Sequence, residues 1–184
     1  MTSASIKPHN EYIIPTLHPI FAERNSYRAD SVCGELWDIL DQVCDPELPG
    51  LTLWDLGVLQ DVKLSNDANK NQIITVVITP TYSGCPAVDA MSEDAIKALN
   101  NAGFNQVKVA VILAPAWTTD MISPNGKKQL QALSIAPPNK YDHVDCPVCG
   151  SRDTEVLSQF GSTACKAMYR CQSCSEVFDY FKNL

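Results

Sequence analysis

The stretch Gln72-Ile73-Ile74-Thr75-Val76-Val77-Ile78-Thr79-Pro80-Thr81-Tyr82-Ser83-Gly84-Cys85-Pro86 decides the fold. Its β-branched run, Gln72 to Thr79, reads as a strand that Pro80 and Gly84 bring to a stop. A second run, Val58 to Leu64, lies upstream across the turn-forming Ser65-Asn66-Asp67-Ala68-Asn69, so the two predict an antiparallel hairpin. Beyond Cys85-Pro86 the period changes. Val88, Met91, Ala95 and Leu99 recur on one helical face as far as Gly103, and Val107, Val109, Val111 and Leu113 then alternate as a strand. Strand, helix and strand make a β-α-β unit, whose crossover is expected to be right-handed.

Working outward, Val32, Leu36, Ile39, Leu40 and Val43 predict an amphipathic helix over Ser31 to Val43, capped by Asp30 or Ser31 and stopped at Asp45-Pro46. A last helix starts at Ser123-Pro124, a capping serine with proline at the first helical position. The order α-β-β-α-β-α packs helices on a small mixed sheet, an α+β class. Residues 1–29 show no periodicity and carry Pro8, Pro15 and Pro19, so they read as an arm. Residues 30–133 form the core domain. The segment 134–141, with Ala136-Pro137-Pro138-Asn139, reads as a linker to a last module over 142–184.

Composition narrows the function classes. A chain of 184 residues, 45% apolar and 19% charged, can bury one ordinary core and a small satellite. A net charge of -7 with a pI of about 4.8 disfavours nucleic acid, which needs a concentrated basic surface. No run approaches the roughly 18 apolar residues of a membrane span, and Met1 to Asn10 lack a signal-peptide layout, so a cytoplasmic protein is expected. Thiols are kept reduced there. Eight cysteines therefore point to metal or redox chemistry before disulfides.

Four of them carry the strongest signal. Cys146-Pro147-Val148-Cys149-Gly150 and Cys171-Gln172-Ser173-Cys174 are two pairs with two-residue gaps, and each pair can clamp one tetrahedral ion from a tight turn. About forty residues have too little core to fold alone, so one structural metal ion, zinc before iron, would supply the stability. A rubredoxin-like iron site has the same four-thiolate shell and stays open as an electron carrier. Leu157, Phe160, Met168, Tyr169, Val177, Phe178 and Phe181 are expected to form the apolar layer beside the metal. With four Lys or Arg against six Asp or Glu, residues 142–184 are no nucleic-acid reader. Cys165, in Gly161-Ser162-Thr163-Ala164-Cys165-Lys166, is surplus to the shell and reads either as a neutral turn residue or as a functional thiol.

The remaining cysteines differ in kind. Cys33 and Cys44 are eleven apart, about 16 Å along a helix, so they cannot pair and read as buried packing. Cys85 precedes a proline suited to the first helical position. It would then sit at or beside a helix cap, whose free N–H groups stabilise its thiolate if solvent reaches it, with a purely structural capping role as the competing reading. Thr79, Thr81 and Ser83 offer hydroxyls around that sulfur.

Asp45-Pro46-Glu47-Leu48-Pro49, Asp55-Leu56-Gly57 and Thr79-Pro80-Thr81-Tyr82-Ser83-Gly84-Cys85-Pro86-Ala87 together resemble the DUF59 (MIP18-like) family over about residues 31–133. Pro115-Ala116-Trp117-Thr118-Thr119-Asp120, Ala136-Pro137-Pro138, the Cys-Pro-x-Cys-Gly ribbon and Gly-Ser-Thr-x-Cys-Lys-Ala extend the likeness to the PaaD (PaaJ) family of phenylacetyl-CoA epoxidase subunits. Met121 and Ala164 depart from that pattern at peripheral positions. The resemblance implies a part in aerobic phenylacetate catabolism beside a di-iron oxygenase and its iron–sulfur flavin reductase, in assembling or inserting a metal centre. It implies Cys85 as the reactive thiol holding transient iron or an iron–sulfur cluster, Asp45 and Glu47 as its acidic motif, and Thr79 or Thr81 as the nearby hydroxyl.

Three functions remain: a maturation or insertion factor, a stoichiometric structural subunit of the oxygenase, and an electron carrier. Direct catalysis is least expected, because no nucleophile–base pair or cofactor fingerprint occurs.

Overall fold

A computed structural model describes residues 18–141 and 143–184. The core domain holds the three-stranded sheet β1 (Leu59–Asn66), β2 (Gln72–Ile78) and β3 (Val107–Val111). β1 and β2 pair antiparallel, with Val62 facing Val76, and β2 and β3 pair parallel, with Val76 facing Val109. The sheet is therefore mixed. Between β2 and β3 runs the helix Val88–Asn101, and Met91, Ala95 and Leu99, spaced four apart, are its buried residues. In chain order the helices are α1 (Phe21–Ala29), α2 (Gly34–Leu40), α3 (Leu53–Leu56), α4 (Val88–Asn101) and α5 (Pro124–Ala132).

Ser123 caps α5 as its sequence foretells, its hydroxyl accepting from the Gly126 N–H at 2.8 Å. The same serine donates to Asp55, and Asn125 donates to the second carboxylate oxygen at 2.7 Å. Gly57 adopts φ +82°, and a Cβ there would lie 2.7 Å from the Cβ of Met121. Asp55-Leu56-Gly57 is thus a structural joint between α3 and α5, where no other residue fits the glycine position.

The architecture differs from the sequence reading most clearly in four places, besides a start of α2 at Gly34, with Cys33 rather than Asp30 or Ser31 as its cap. The segment 1–29 reads as a featureless arm, yet Phe21–Ala29 is helical; residues 1–17 lie outside the described residues. What anchors α1 is not an apolar stripe. Arg24 is buried and donates to the carbonyls of Met121 (2.7 Å), Leu59 (2.6 Å) and Trp54 (3.3 Å), while its guanidinium lies 4.2 Å from the centre of the Trp54 ring. Arg28 adds a two-pronged pair to Asp41 at 2.7 and 2.6 Å.

Second, α2 ends at Leu40 rather than Val43. The chain turns away there to bond its 51–53 stretch, with Leu53 N–H on Val43 O and Asp45 N–H on Leu51 O. Cys44 accordingly lies off the helix in a bridge to Thr52, half-buried, and only Cys33 joins the core.

Third, part of the expected linker is a strand. β4 (Ile135–Ala136) pairs parallel with β7 (Val177–Phe181), which joins β6 (Lys166–Cys171) and β5 (Thr154–Ser158) in a second sheet ordered β4-β7-β6-β5. Ile135, Cys165 and Phe181 belong to the main core, and the Trp117 and Phe181 rings lie 5.9 Å apart, so the second module is seated on the first.

Fourth, the ribbon's own layer is Ala136, Val144, Ala167, Phe178 and Tyr180, with Tyr169 against it. Leu157, Phe160 and Val177, expected inside, are exposed. β5 is the outer strand of a sheet with few elements to cover it, so its side chains meet solvent.

Candidate functional site

Two centres emerge. In the ribbon, the ligand sulfurs of Cys146, Cys149, Cys171 and Cys174 all lie within 4.8 Å of one another. The Cys146–Cys174 and Cys149–Cys171 sulfurs are 3.8 and 3.5 Å apart. A tetrahedron with metal–sulfur bonds of about 2.3 Å has edges of about 3.8 Å, so the cage has the size of a four-thiolate metal ion.

The two halves of the cage are built alike. Gly150 N–H bonds Cys146 O and Ser175 N–H bonds Cys171 O, both at 2.9 Å. Cys146 N–H bonds Ser151 O and Cys171 N–H bonds Glu176 O. Gly150 and Ser175 each adopt positive φ, +73° and +65°. Each Cys-x-x-Cys turn thus folds back on itself and presents both sulfurs to one point. Desolvation opposes ionisation of Cys171, but the N–H groups of Cys174 and Ser173 and the neighbouring sulfurs outweigh it and bring the thiol down to about 6. A shell of four protein ligands has no open position. Such a site holds structure together and leaves no room for substrate.

The second centre surrounds Cys85, in the turn between β2 and α4. The sequence places Cys85 at or beside the cap of α4, with a thiolate stabilised only if solvent reaches it, and the structure moves the cap. The N-cap is Ala87, two residues further on. Burial pushes the Cys85 thiol up, and the charges of Glu47 and Asp45 and the nearby Cys165 thiol push it the same way, against the Ala87 N–H.

Asp45 is buried, and one of its oxygens accepts from the Glu47 N–H at 2.8 Å, fixing the Asp45-Pro46-Glu47 turn. Burial raises its carboxyl above the ordinary range. The Glu47 charge adds to this, while the N–H groups of Glu47 and Leu48 and the charge of Lys166 oppose it. Glu47 itself is exposed. Thr79 is 1% exposed, and its hydroxyl has no hydrogen-bond partner among the described residues. Thr81 is half-buried.

Asp45 and Glu47 thus lie within electrostatic reach of Cys85, and two groups of the ribbon come within reach of this acid–thiol pair. Cys165 is 7% exposed and packs in the main core, with Cys85 and Tyr82 against the same cluster. Lys166 is buried, pairs with Asp179 at 3.5 Å and acts on Asp45. Sequence reasoning passes over Lys166, whose one signal is its place directly after Cys165. A cleft of about 550 Å³ runs past Cys44, Asp45, Pro46 and Lys97, and neither Cys85 nor Cys165 lines it.

Comparison with known proteins divides the chain in the same way. Residues 35–111 match the family described as iron–sulfur cluster assembly protein, and residues 119–182 that described as PaaD zinc beta ribbon domain. A protein of Escherichia coli (strain K12), named as the D component of a "Putative 1,2-phenylacetyl-CoA epoxidase", is 43% identical over 155 residues, 80% of this chain and 91% of that one. The "Fe-S protein maturation auxiliary factor" of Porphyromonas gingivalis (strain ATCC BAA-308 / W83) is 33% identical over 96 residues, 52% of this chain and 87% of that one. The solved DUF59 domain from Bacillus anthracis is 29% identical, with a TM-score of 0.45, and covers 59% of this chain and 95% of that one. Among the described residues, no helix is long and apolar enough to cross a membrane.

Proposed function

Because the chain belongs to the PaaD family of 1,2-phenylacetyl-CoA epoxidase subunits, we propose that it is a non-catalytic accessory component of the phenylacetyl-CoA epoxidase system. Its work is the assembly or insertion of an iron–sulfur or other metal centre in the oxygenase subunits or their iron–sulfur flavin reductase. Supporting this, the domain that carries Cys85 matches the iron–sulfur cluster assembly family.

One observation carries the reading: the half-buried thiol of Cys85 lies within electrostatic reach of the buried Asp45 carboxyl and the Glu47 carboxylate, which both disfavour its ionisation. Such a grouping is costly without a positive charge. A metal cation arriving as cargo would displace the thiol proton to solvent and offset the acids, so the site gains most from binding and holds a neutral thiol when empty. Thr79 or Thr81 supplies the nearby hydroxyl. The ribbon cysteines Cys146, Cys149, Cys171 and Cys174 hold one zinc ion as scaffold, since their closed shell offers no exchange position.

In cells dependent on the epoxidase, Cys85→Ala should lower the iron–sulfur content of the reductase or the metal content of the oxygenase while both proteins accumulate normally. Full metal content in both partners, with growth on phenylacetate intact, would refute the reading. A second reading, a stoichiometric structural subunit, is favoured by the exposed Val156, Leu157, Phe160 and Val177 on the ribbon. It calls for co-purification with the oxygenase at fixed ratio and for indifference to Cys85→Ala.

A further inference from the structure

We infer that the cleft beside Asp45 is a docking groove for an extended segment of a partner protein, which pairs its backbone with Cys44 and turns an arginine or lysine toward the Asp45 carboxyl. The inference goes beyond the metal reading above and does not need it, because Cys85 does not line the cleft. Three observations carry it.

The first is shape. The cleft, about 550 Å³, lies between the end of α2, the loop that follows it and the C-terminal half of α4, with Ile39, Val43 and Ala98 among its apolar walls. That volume is in the range of a ligand pocket and takes a few side chains of one chain segment.

The second is a free backbone edge. Asp45 N–H bonds Leu51 O and Leu53 N–H bonds Val43 O, both at 2.9 Å, on either side of the antiparallel bridge between Cys44 and Thr52. Cys44 and Thr52 are therefore a non-hydrogen-bonded pair, in which the N–H and C=O of Cys44 point away from the 51–53 stretch. Neither group has a backbone partner among the described residues, and Cys44 lines the cleft. An extended chain can exchange two hydrogen bonds with Cys44 there, as in strand addition at a sheet edge.

The third is charge. Asp45 lines the cleft, is 7% exposed, and among the described residues takes part in no ion pair. Asp94 adds a second acid, and Lys97 is the one cation among the lining residues. A cationic side chain arriving from outside would complete a charge-assisted bond with a carboxyl that is already desolvated, whereas an acidic segment would meet like charge. Two backbone bonds are few. The basic side chain therefore sets the sequence preference, with the apolar walls receiving its neighbours.

The test uses the full chain with its ribbon zinc retained, and a library of random heptapeptides displayed on phage as the probe. Selection should enrich arginine or lysine at one position among apolar neighbours. The strongest such peptide, synthesised, should shift the backbone amide resonances of residues 42–49 and 94–101 and slow hydrogen exchange at the Cys44 N–H. Asp45→Asn keeps an acceptor for the Glu47 N–H and should weaken binding at least about tenfold, as should citrulline in place of the basic residue. Lys97→Gln should tighten binding by about two- to fivefold, the worth of an exposed charge. Asp153→Asn, the same loss of charge at an exposed place on the ribbon, should leave it unchanged. Selection of acidic peptides or of none, resonance shifts confined to other surfaces, or unaltered exchange at Cys44 overturns the groove. So does equal weakening by Asp45→Asn and Asp153→Asn.

Discussion

Arg24→Met removes the anchor of α1 while roughly keeping its volume. In the wild-type protein the guanidinium donates to Met121 O at 2.7 Å and Leu59 O at 2.6 Å, more weakly to Trp54 O at 3.3 Å, and stacks on Trp54. Burial brings its pKa down to about 9, so it stays charged at neutral pH. Methionine leaves the carbonyls unpaired in the interior, each costing about 1–3 kcal/mol, and regains part of this because no charge needs burying. The expected net loss is about 3 kcal/mol, near 10 °C in melting temperature for a chain of this size. Urea unfolding followed by tryptophan fluorescence, with ribbon metal retained, measures it. Arg28→Met is the control: its partner Asp41 is partly exposed, so the loss should stay within about 1 kcal/mol. Equal losses for the two variants, or less than about 1 kcal/mol for Arg24→Met, would refute this account of α1.

Further outcomes follow from the same geometry. Gly57→Ala meets Met121 at 2.7 Å in a left-handed backbone, whereas Gly50→Ala shares the same φ of +82° in open space. Chemical denaturation should show Gly57→Ala at least about 1 kcal/mol worse than Gly50→Ala. Asp45 has a raised carboxyl, so the folded state prefers it neutral, and that preference is lost as pH rises through the folded value. Asp45→Asn should therefore stabilise the protein at pH 7, with the gain fading as pH falls into the ordinary carboxylate range in melts across pH. Removing the ribbon metal with a chelator should unfold β5–β7 and free Cys165 for alkylation, read by mass spectrometry, because the cluster around Phe178 and Tyr180 is small. A Cys165 that stays protected after metal loss would contradict that coupling.

Much of this architecture is legible in the sequence, and where it is not the reason is physical. α4 and the β1–β2 hairpin declare themselves through periods of 3.6 and 2, since Met91, Ala95 and Leu99, or Val62 and Val76, must share one buried side. The cap signal at Ser123-Pro124 is equally local. α1 escapes because Arg24, a residue that normally reads as solvated, is its buried anchor. The metal cage is legible from spacing alone, because each turn closes within five residues. The Cys85 surroundings are only half legible. Asp45, Glu47 and Thr81 are named by motif, but the presence of Cys165 and Lys166 depends on how the ribbon seats against Trp117 and the main core. The thiol's upward shift depends on that burial too, which a cap argument on the sequence cannot contain.

The central claim, that Cys85 holds metal in order to hand it on, is tested most directly by transfer between purified proteins. The chain, its ribbon zinc in place, is loaded anaerobically with iron or with a reconstituted cluster and mixed with the metal-free reductase or oxygenase, and iron in the recipient is followed over time. Wild type should deliver iron faster than free iron at the same concentration, and Cys85→Ala should deliver it no faster than the free metal. Delivery by Cys85→Ala at the wild-type rate would contradict the account.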